Sequence, residues 1–163
     1  MAAVALYVLL YFSSNLVFSS ESSEKKAREL IESLATNATV QKEAYAPGEK
    51  ILLQLTIKNI SQKDITLRKY PPLGLFNIVV TLPNGKKAPP TLYGNQLSML
   101  SPFASNSIVL SPKKEYTKTI DINRYFDMTM PGKYGISVNL RTSLGNDNRN
   151  PAPAQFISLQ ITE

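Results

Sequence analysis

The chain has 163 residues, with 18 Lys and Arg against 12 Asp and Glu, a net charge of +6, and neither histidine nor cysteine. Lacking histidine, it has no usual general base, zinc ligand or near-neutral pH switch. Lacking cysteine, it has no disulfide framework, thiol nucleophile or thiolate metal site. This composition argues against a hydrolase; no catalytic residue, metal or cofactor is expected, and one domain is the default for this length.

Residues 1–20 carry no charged side chain, and Ala2 to Phe18 are nearly all apolar. The run Ala2 to Phe12 fits the apolar region of a signal peptide, with a candidate cleavage point after Ser19. The same segment could instead be retained as a membrane anchor, so residues 1–20 are read as one or the other. Either way the chain is expected to be exported to a periplasmic, cell-surface or extracellular location, and any membrane contact to run through residues 1–20.

Ser22 to Leu34 reads as a short amphipathic helix. Ala27, Leu30, Ile31 and Leu34 fall at i, i+3, i+4 and i+7 on one face, with charged residues elsewhere. Residues 21–37 are assigned to this helix and a linker, which either packs on the domain or spaces it from a membrane.

From Ala38 the pattern changes to strands, and residues 38–163 are read as one β domain. Ala46-Pro47-Gly48-Glu49 is a turn. Ile51, Leu53, Leu55 and Ile57 then alternate with Leu52, Gln54, Thr56 and Lys58, the period-two mark of a half-buried strand. Asn59 to Asp64 reads as a polar hairpin loop into a strand begun by Ile65 and Leu67. Lys69 to Gly74, with consecutive prolines, ends that strand. Phe76, Ile78, Val80 and Leu82 share another face, and Asn84-Gly85 behind them is a strong hairpin signal. Residues 86–106 show little periodicity, and a long irregular stretch in a compact domain is commonly functional.

Ser107 to Leu110 is a short strand, and Ser111-Pro112-Lys113-Lys114 a turn like the first. Thr119 to Leu140 organises the rest. It starts as a strand with Ile120 and Ile122 on one face, breaks at Asn123 to Met130, turns at Pro131-Gly132, and leaves as a strand with Tyr134, Ile136, Val138 and Leu140 on one face. Residues 141–153 are polar and turn-rich. Gln155 to Ile161 closes the set, with Ile157, Leu159 and Ile161 aligned. About seven strands separated by turns, with no helix between them, predict an antiparallel sandwich of immunoglobulin-like type, in which Pro131, Gly132 and Tyr134 form the structural corner.

Asp121, Asn123 and Asp127 supply oxygen ligands close in sequence, but they lack the glycine and glutamate of a calcium loop and read better as strand-end and capping residues. Tyr125 and Phe126 read either as a binding ledge or, preferably, as aromatics buried where the corner closes. The loop residues Tyr70, Tyr93 and Phe103, with Arg141 and Arg149 beside the last loop, are the binding candidates, because aromatics and arginine dominate binding surfaces. The lysines are scattered and no aromatics interleave with a basic stripe, so no nucleic-acid partner is expected. Asn37-Ala38-Thr39 and Asn59-Ile60-Ser61 are formal glycosylation sequons.

Pro47-Gly48-Glu49, Asp121-Ile122, Tyr125-Phe126-Asp127 and Pro131-Gly132-Lys133-Tyr134 together look familiar. Over residues 38–163 the chain resembles bacterial immunoglobulin-like domains. It is similar to the intracellular proteinase inhibitor type and to the β-sandwich segments that precede some secreted metalloendopeptidase domains. The resemblance implies a fold more than an activity. The expectation is a non-catalytic binding module of the cell envelope, with a protein or envelope polymer as partner. The alternative it raises is a protease inhibitor that presents 86–106 or 141–153. The oligomeric state is left open.

Overall fold

The computed structural model describes residues 25–69, 73–99, 106–141 and 154–162. Residues 25–32 are helical (α1), and Leu30 and Ile31 pack against the core, so this part of the helix lies on the domain. The helix stops sooner than its apolar spacing suggests. Ser33 donates both its backbone N–H (3.1 Å) and its hydroxyl (2.6 Å) to the Glu29 carbonyl, and Leu34 is already the first residue of a strand. That strand, β1 (Leu34–Val40), buries Leu34 and Ala38 and starts four positions before the change of pattern at Ala38.

The other strands are β2 (Ala44–Tyr45), β3 (Leu52–Asn59), β4 (Ile65–Arg68), β5 (Phe76–Thr81), β6 (Ser107–Leu110), β7 (Glu115–Asp121), β8 (Gly132–Leu140) and β9 (Gln155–Ile161). One sheet has the order β1-β3-β7, a second β2-β9-β8-β5, and β4 and β6 form a two-stranded ribbon. The two larger sheets share one hydrophobic core, and the fold is an immunoglobulin-like β-sandwich. Nine described strands exceed the roughly seven expected from turn spacing. The surplus lies in pieces such as β2, which has two residues and pairs parallel with β9, too short to leave a periodic trace.

The core follows the alternation. Ile51, Leu53, Leu55 and Ile57 are fully buried, and so is Ile136; each such side chain is worth about 2 kcal/mol of burial. From the facing sheet come Phe76, Ile78 and Val80 of β5, Tyr134 and Val138 of β8, and Leu159 and Ile161 of β9. Both four-residue turns form. Glu49 N–H bonds to Ala46 O at 3.1 Å and Lys114 N–H to Ser111 O at 3.0 Å. Gly48 and Lys113, third in each turn, have φ of +74° and +65°. The Asn84-Gly85 hairpin also forms, closed by a Thr81–Lys87 bridge and an Ala88 N–H bond to Val80 O of 2.8 Å.

Two expectations change. Asn59 to Asp64 does not join a hairpin, because β3 pairs with β1 and β7 while β4 pairs with β6. The segment crosses between sheets, and Asn59 is its fully buried pivot. Its amide donates to Lys63 O and Leu110 O, each at 2.7 Å, and its Oδ1 accepts from Ser61 N–H and Oγ. The sequon at Asn59 is therefore closed. The stretch 86–106 is not wholly irregular either, since it holds a helix, α2 (Leu92–Ser98).

Candidate functional site

Thr91 starts the site. Its Oγ1 accepts from Gly94 N–H at 3.1 Å, capping α2. Its hydroxyl also donates to Arg124 O, and its backbone N–H to Tyr125 O at 3.0 Å. One capping residue thus ties α2 to the segment between β7 and β8. Asp127 N–H adds a bond of 2.9 Å to Pro89 O, and Pro90 bridges to Phe126. The approach is so close that a Cβ on Gly94 would stand 2.4 Å from Tyr125 O. Glycine inside a helix disfavours it; here it is what lets the helix dock.

The segment beneath is itself ordered. Ile122 N–H bonds to Ile51 O at 3.0 Å, Ile122–Arg124 form one 310 turn, and Asn123 Nδ2 donates to Glu49 O at 2.8 Å. At the start of β8, Tyr134 donates its hydroxyl to Met130 O at 2.6 Å. Such a tyrosine tie is typical of the corner between sheets in an immunoglobulin-like sandwich, and here β7 and β8 lie in different sheets. Gly132 is required there: its φ is +129°, and a Cβ would press to 2.8 Å from the Pro83 ring.

Docking α2 on this corner builds a ledge. The Tyr93 and Tyr125 rings meet edge to face at 5.5 Å, and the Arg124 guanidinium lies 4.4 Å over Tyr93. A cation over an aromatic face is worth roughly 0.5–2 kcal/mol. Burial, then the neighbouring Tyr93, pushes the Tyr125 phenol above its ordinary range. Leu92 and Met99 stand 77% and 80% exposed. Seven positions apart, they fall on one side of the helix. An arginine, an aromatic and two bare apolar side chains on a rigid base have the composition of a protein-binding patch. Among the described residues no group of three acidic, histidine or cysteine side chains is placed to hold a metal.

Of the sequence candidates, Tyr93 is in the ledge, and Gly132 and Tyr134 stand at the start of β8, directly after Pro131. Arg141 follows the far end of β8, about 30 Å from Gly132 at the rise of an extended strand, with its N–H on Leu75 O at 2.7 Å. Tyr70, Phe103 and Arg149, and residues 1–20, lie outside the described residues. Tyr125 and Phe126 are half-buried against the core, so Tyr125 serves as both core and ledge. Asp127 Oδ1 accepts from Thr129 N–H and Oγ1 in a local turn with no helix behind it, and Asp121, at the head of the 310 turn, makes no side-chain capping bond, so the expected helix cap does not form. Arg124 and the exposed Leu92 and Met99 had no signal of their own; the aromatic run beside Arg124 was the available hint. No helix among the described residues is long and apolar enough to cross a membrane.

No curated protein matches the sequence. Among solved structures, a β-glucosidase from Listeria innocua in complex with glucose is 12% identical with a TM-score of 0.47, and the match covers 80% of this chain and 16% of that one. A β-glucosidase from Erythrobacter marinus is 10% identical with a TM-score of 0.47, covering 80% of this chain and 15% of that one. The CARDB domain of a Pyrococcus furiosus protein, in complex with di-metal ions, is 14% identical with a TM-score of 0.44, covering 79% and 92%. This chain therefore spans only about a sixth of the glucosidases it matches, and none of these likenesses brings an activity to it. Residues 38–162 match the model of another family than the inhibitor type suggested by the turn motifs. That family is described as flagellar collar protein C, N-terminal domain, and because the match spans most of the chain, this protein belongs to it.

Proposed function

We propose that the chain is a non-catalytic, exported assembly module of the flagellar collar. It holds another protein of the cell envelope through the ledge of Leu92, Tyr93, Met99 and Arg124. Membership of the collar family supports an assembly role. The observation that carries the docking face is the Arg124–Tyr93–Tyr125 stack with bare Leu92 and Met99 alongside. The rings and guanidinium are held in place before any partner arrives, so little side-chain entropy is lost on docking. The apolar, uncharged residues 1–20 support export, whether they are cleaved or kept as an anchor.

The test is a photoreactive residue placed at Leu92 or at Met99 in the full chain within the cell, with Val109 on the β4–β6 ribbon as control. Crosslinks to a second collar protein from α2 and not from Val109 are the expected result. Tyr93→Ala and Arg124→Ala should then each weaken that complex by at least about tenfold, as central aromatic and arginine contacts do. Equal crosslinking from all three positions, or capture of lipid or polymer alone, would sink the reading.

A further inference from the structure

Among the described strands, β7 is outermost in its sheet, paired only with β3. The register sets Tyr116 against Ile57, Lys118 against Leu55 and Ile120 against Leu53. Those three partners on β3 are fully buried, so Tyr116, Lys118 and Ile120 point to the core side. An alternating strand calls for an apolar residue at position 118, and a lysine stands there.

Its ammonium reaches the turn before β5, where a Cβ on Gly74 would lie 3.4 Å from Lys118 Nζ. A second lysine comes to the same place. Lys69, directly after β4, holds its Nζ 5.7 Å from the centre of the Tyr116 ring. Burial first, and the charge of Lys69 second, hold the Lys118 ammonium below its ordinary range. Among the described residues the ion pairs are Lys42–Glu49 and Lys58–Glu115, and neither Lys69 nor Lys118 is in one.

A half-buried cation without a counter-charge is costly. An inward lysine can be kept on an edge strand to block unwanted strand pairing. Blocking needs one lysine, however, and Lys69 only adds repulsion. Two ammonium groups beside an aromatic face and a side-chain-free backbone make sense together when an anion sits between them.

We propose that Lys69, Tyr116, Lys118 and the backbone at Gly74 form a binding site for a carboxylate group. A carboxylate is preferred to a phosphate dianion because desolvation cost grows with the square of the charge, and Leu55 and Tyr116 make the surroundings partly apolar. This site is separate from the ledge, and its failure would leave the ledge reading untouched.

The test uses the full chain with 13C-labelled lysine, titrated with glutarate and separately with inorganic phosphate while the ε-carbon signals are followed. Single Lys69→Gln and Lys118→Gln variants assign the two signals. Saturable shifts confined to Lys69 and Lys118, lost at the remaining lysine in either variant, are the expected result. The Lys118 titration midpoint should also move upward when glutarate is bound. Saturation below about 1 mM would assign a free dicarboxylate as ligand. Saturation at higher concentration would assign a partner's acidic side chain, whose effective concentration a second contact raises into the millimolar range. Shifts that grow linearly at every lysine would mean screening alone and overturn the site. So would saturation by phosphate without saturation by glutarate. Should Lys118→Gln fail to fold, Lys69→Gln, at the end of a strand, still decides.

Discussion

Tyr134 donates its hydroxyl to the carbonyl of Met130, four residues earlier, over 2.6 Å. Its ring is 1% exposed while Met130 is 41% exposed, so one side chain fastens the buried start of β8 to the surface loop that enters it. Tyr134→Phe keeps the ring and removes the bond. Water can reach the freed carbonyl, so the expected loss is about 1 kcal/mol, or about 4 °C in Tm for a domain of this size. Urea unfolding with an unchanged m-value is the check; an unchanged midpoint would show that the corner holds without the tie.

Gly94 sets the height of α2 above the corner. Gly94→Ala forces a methyl against Tyr125 O, 2.4 Å from the ideal Cβ position. The helix must lift, separating Tyr93 from Tyr125, at about 1–3 kcal/mol. The sandwich strands should survive, as α2 is not among them. Limited proteolysis should show faster cleavage within 92–99 while far-ultraviolet circular dichroism keeps its β signal. Equal cleavage of variant and parent would mean that the docking tolerates the methyl.

Asn59 is the one fully buried polar residue among the described residues, and it serves four hydrogen bonds. Asn59→Ala leaves Lys63 O, Leu110 O and Ser61 N–H short of partners in or near the core, at about 3 kcal/mol. Asn59→Asp is no rescue, because it aims a carboxylate at two carbonyl oxygens. Ser61→Ala, which loses only the outer contacts, should cost about 1 kcal/mol. Denaturant midpoints should fall least for Ser61→Ala and further for both Asn59 variants, and a neutral Asn59→Ala would refute the pivot.

Lys118 predicts a pH dependence of stability. Its pKa is lowered in the folded chain from the ordinary 10.5, so below that value the unfolded chain binds more protons than the folded one. Stability therefore rises with pH through this window. Tyr125 and Tyr134 act the other way. Burial raises both above the ordinary 10.0, so at higher pH the unfolded chain releases protons first and stability falls. Urea midpoints between about pH 8 and pH 11, a window spanning the ordinary amine and phenol values, should rise and then fall. Lys118→Gln should flatten the rise and leave the fall, and a rise that persists in the variant would remove Lys118 as its source.

The parts of the fold legible in the sequence are those where one face is buried along the whole strand. β3, β5, β8 and β9 each carry an unbroken alternation, so burial and spacing give the same answer. The connections were not legible to the same degree. The polar run after Asn59 looks like a hairpin loop locally, and only the pairing of β4 with the distant β6 makes it a crossing. α2 was hidden by Gly94, which weighs against a helix until the backbone of Tyr125 is seen beneath it. At the candidate site Tyr93 was legible as a loop aromatic. Arg124 was not, because its place over Tyr93 depends on a helix and a 310 turn meeting from different parts of the chain.

The parallel pairing of β2 with β9, in which Ala44 meets Gln160, bears on how the molecule is made. β9 lies inside its sheet, between β8 and β2, so that sheet stays split until β9 has left the ribosome. Contacts this remote along the chain slow folding, typically to milliseconds or longer for sandwiches. A nascent chain in this state has unpaired strand edges and an open core, and is exposed to aggregation. The interval in which the polypeptide is most vulnerable is thus the one before β9 docks, when the unpaired edges of β2 and β8 are what a holding chaperone would cover.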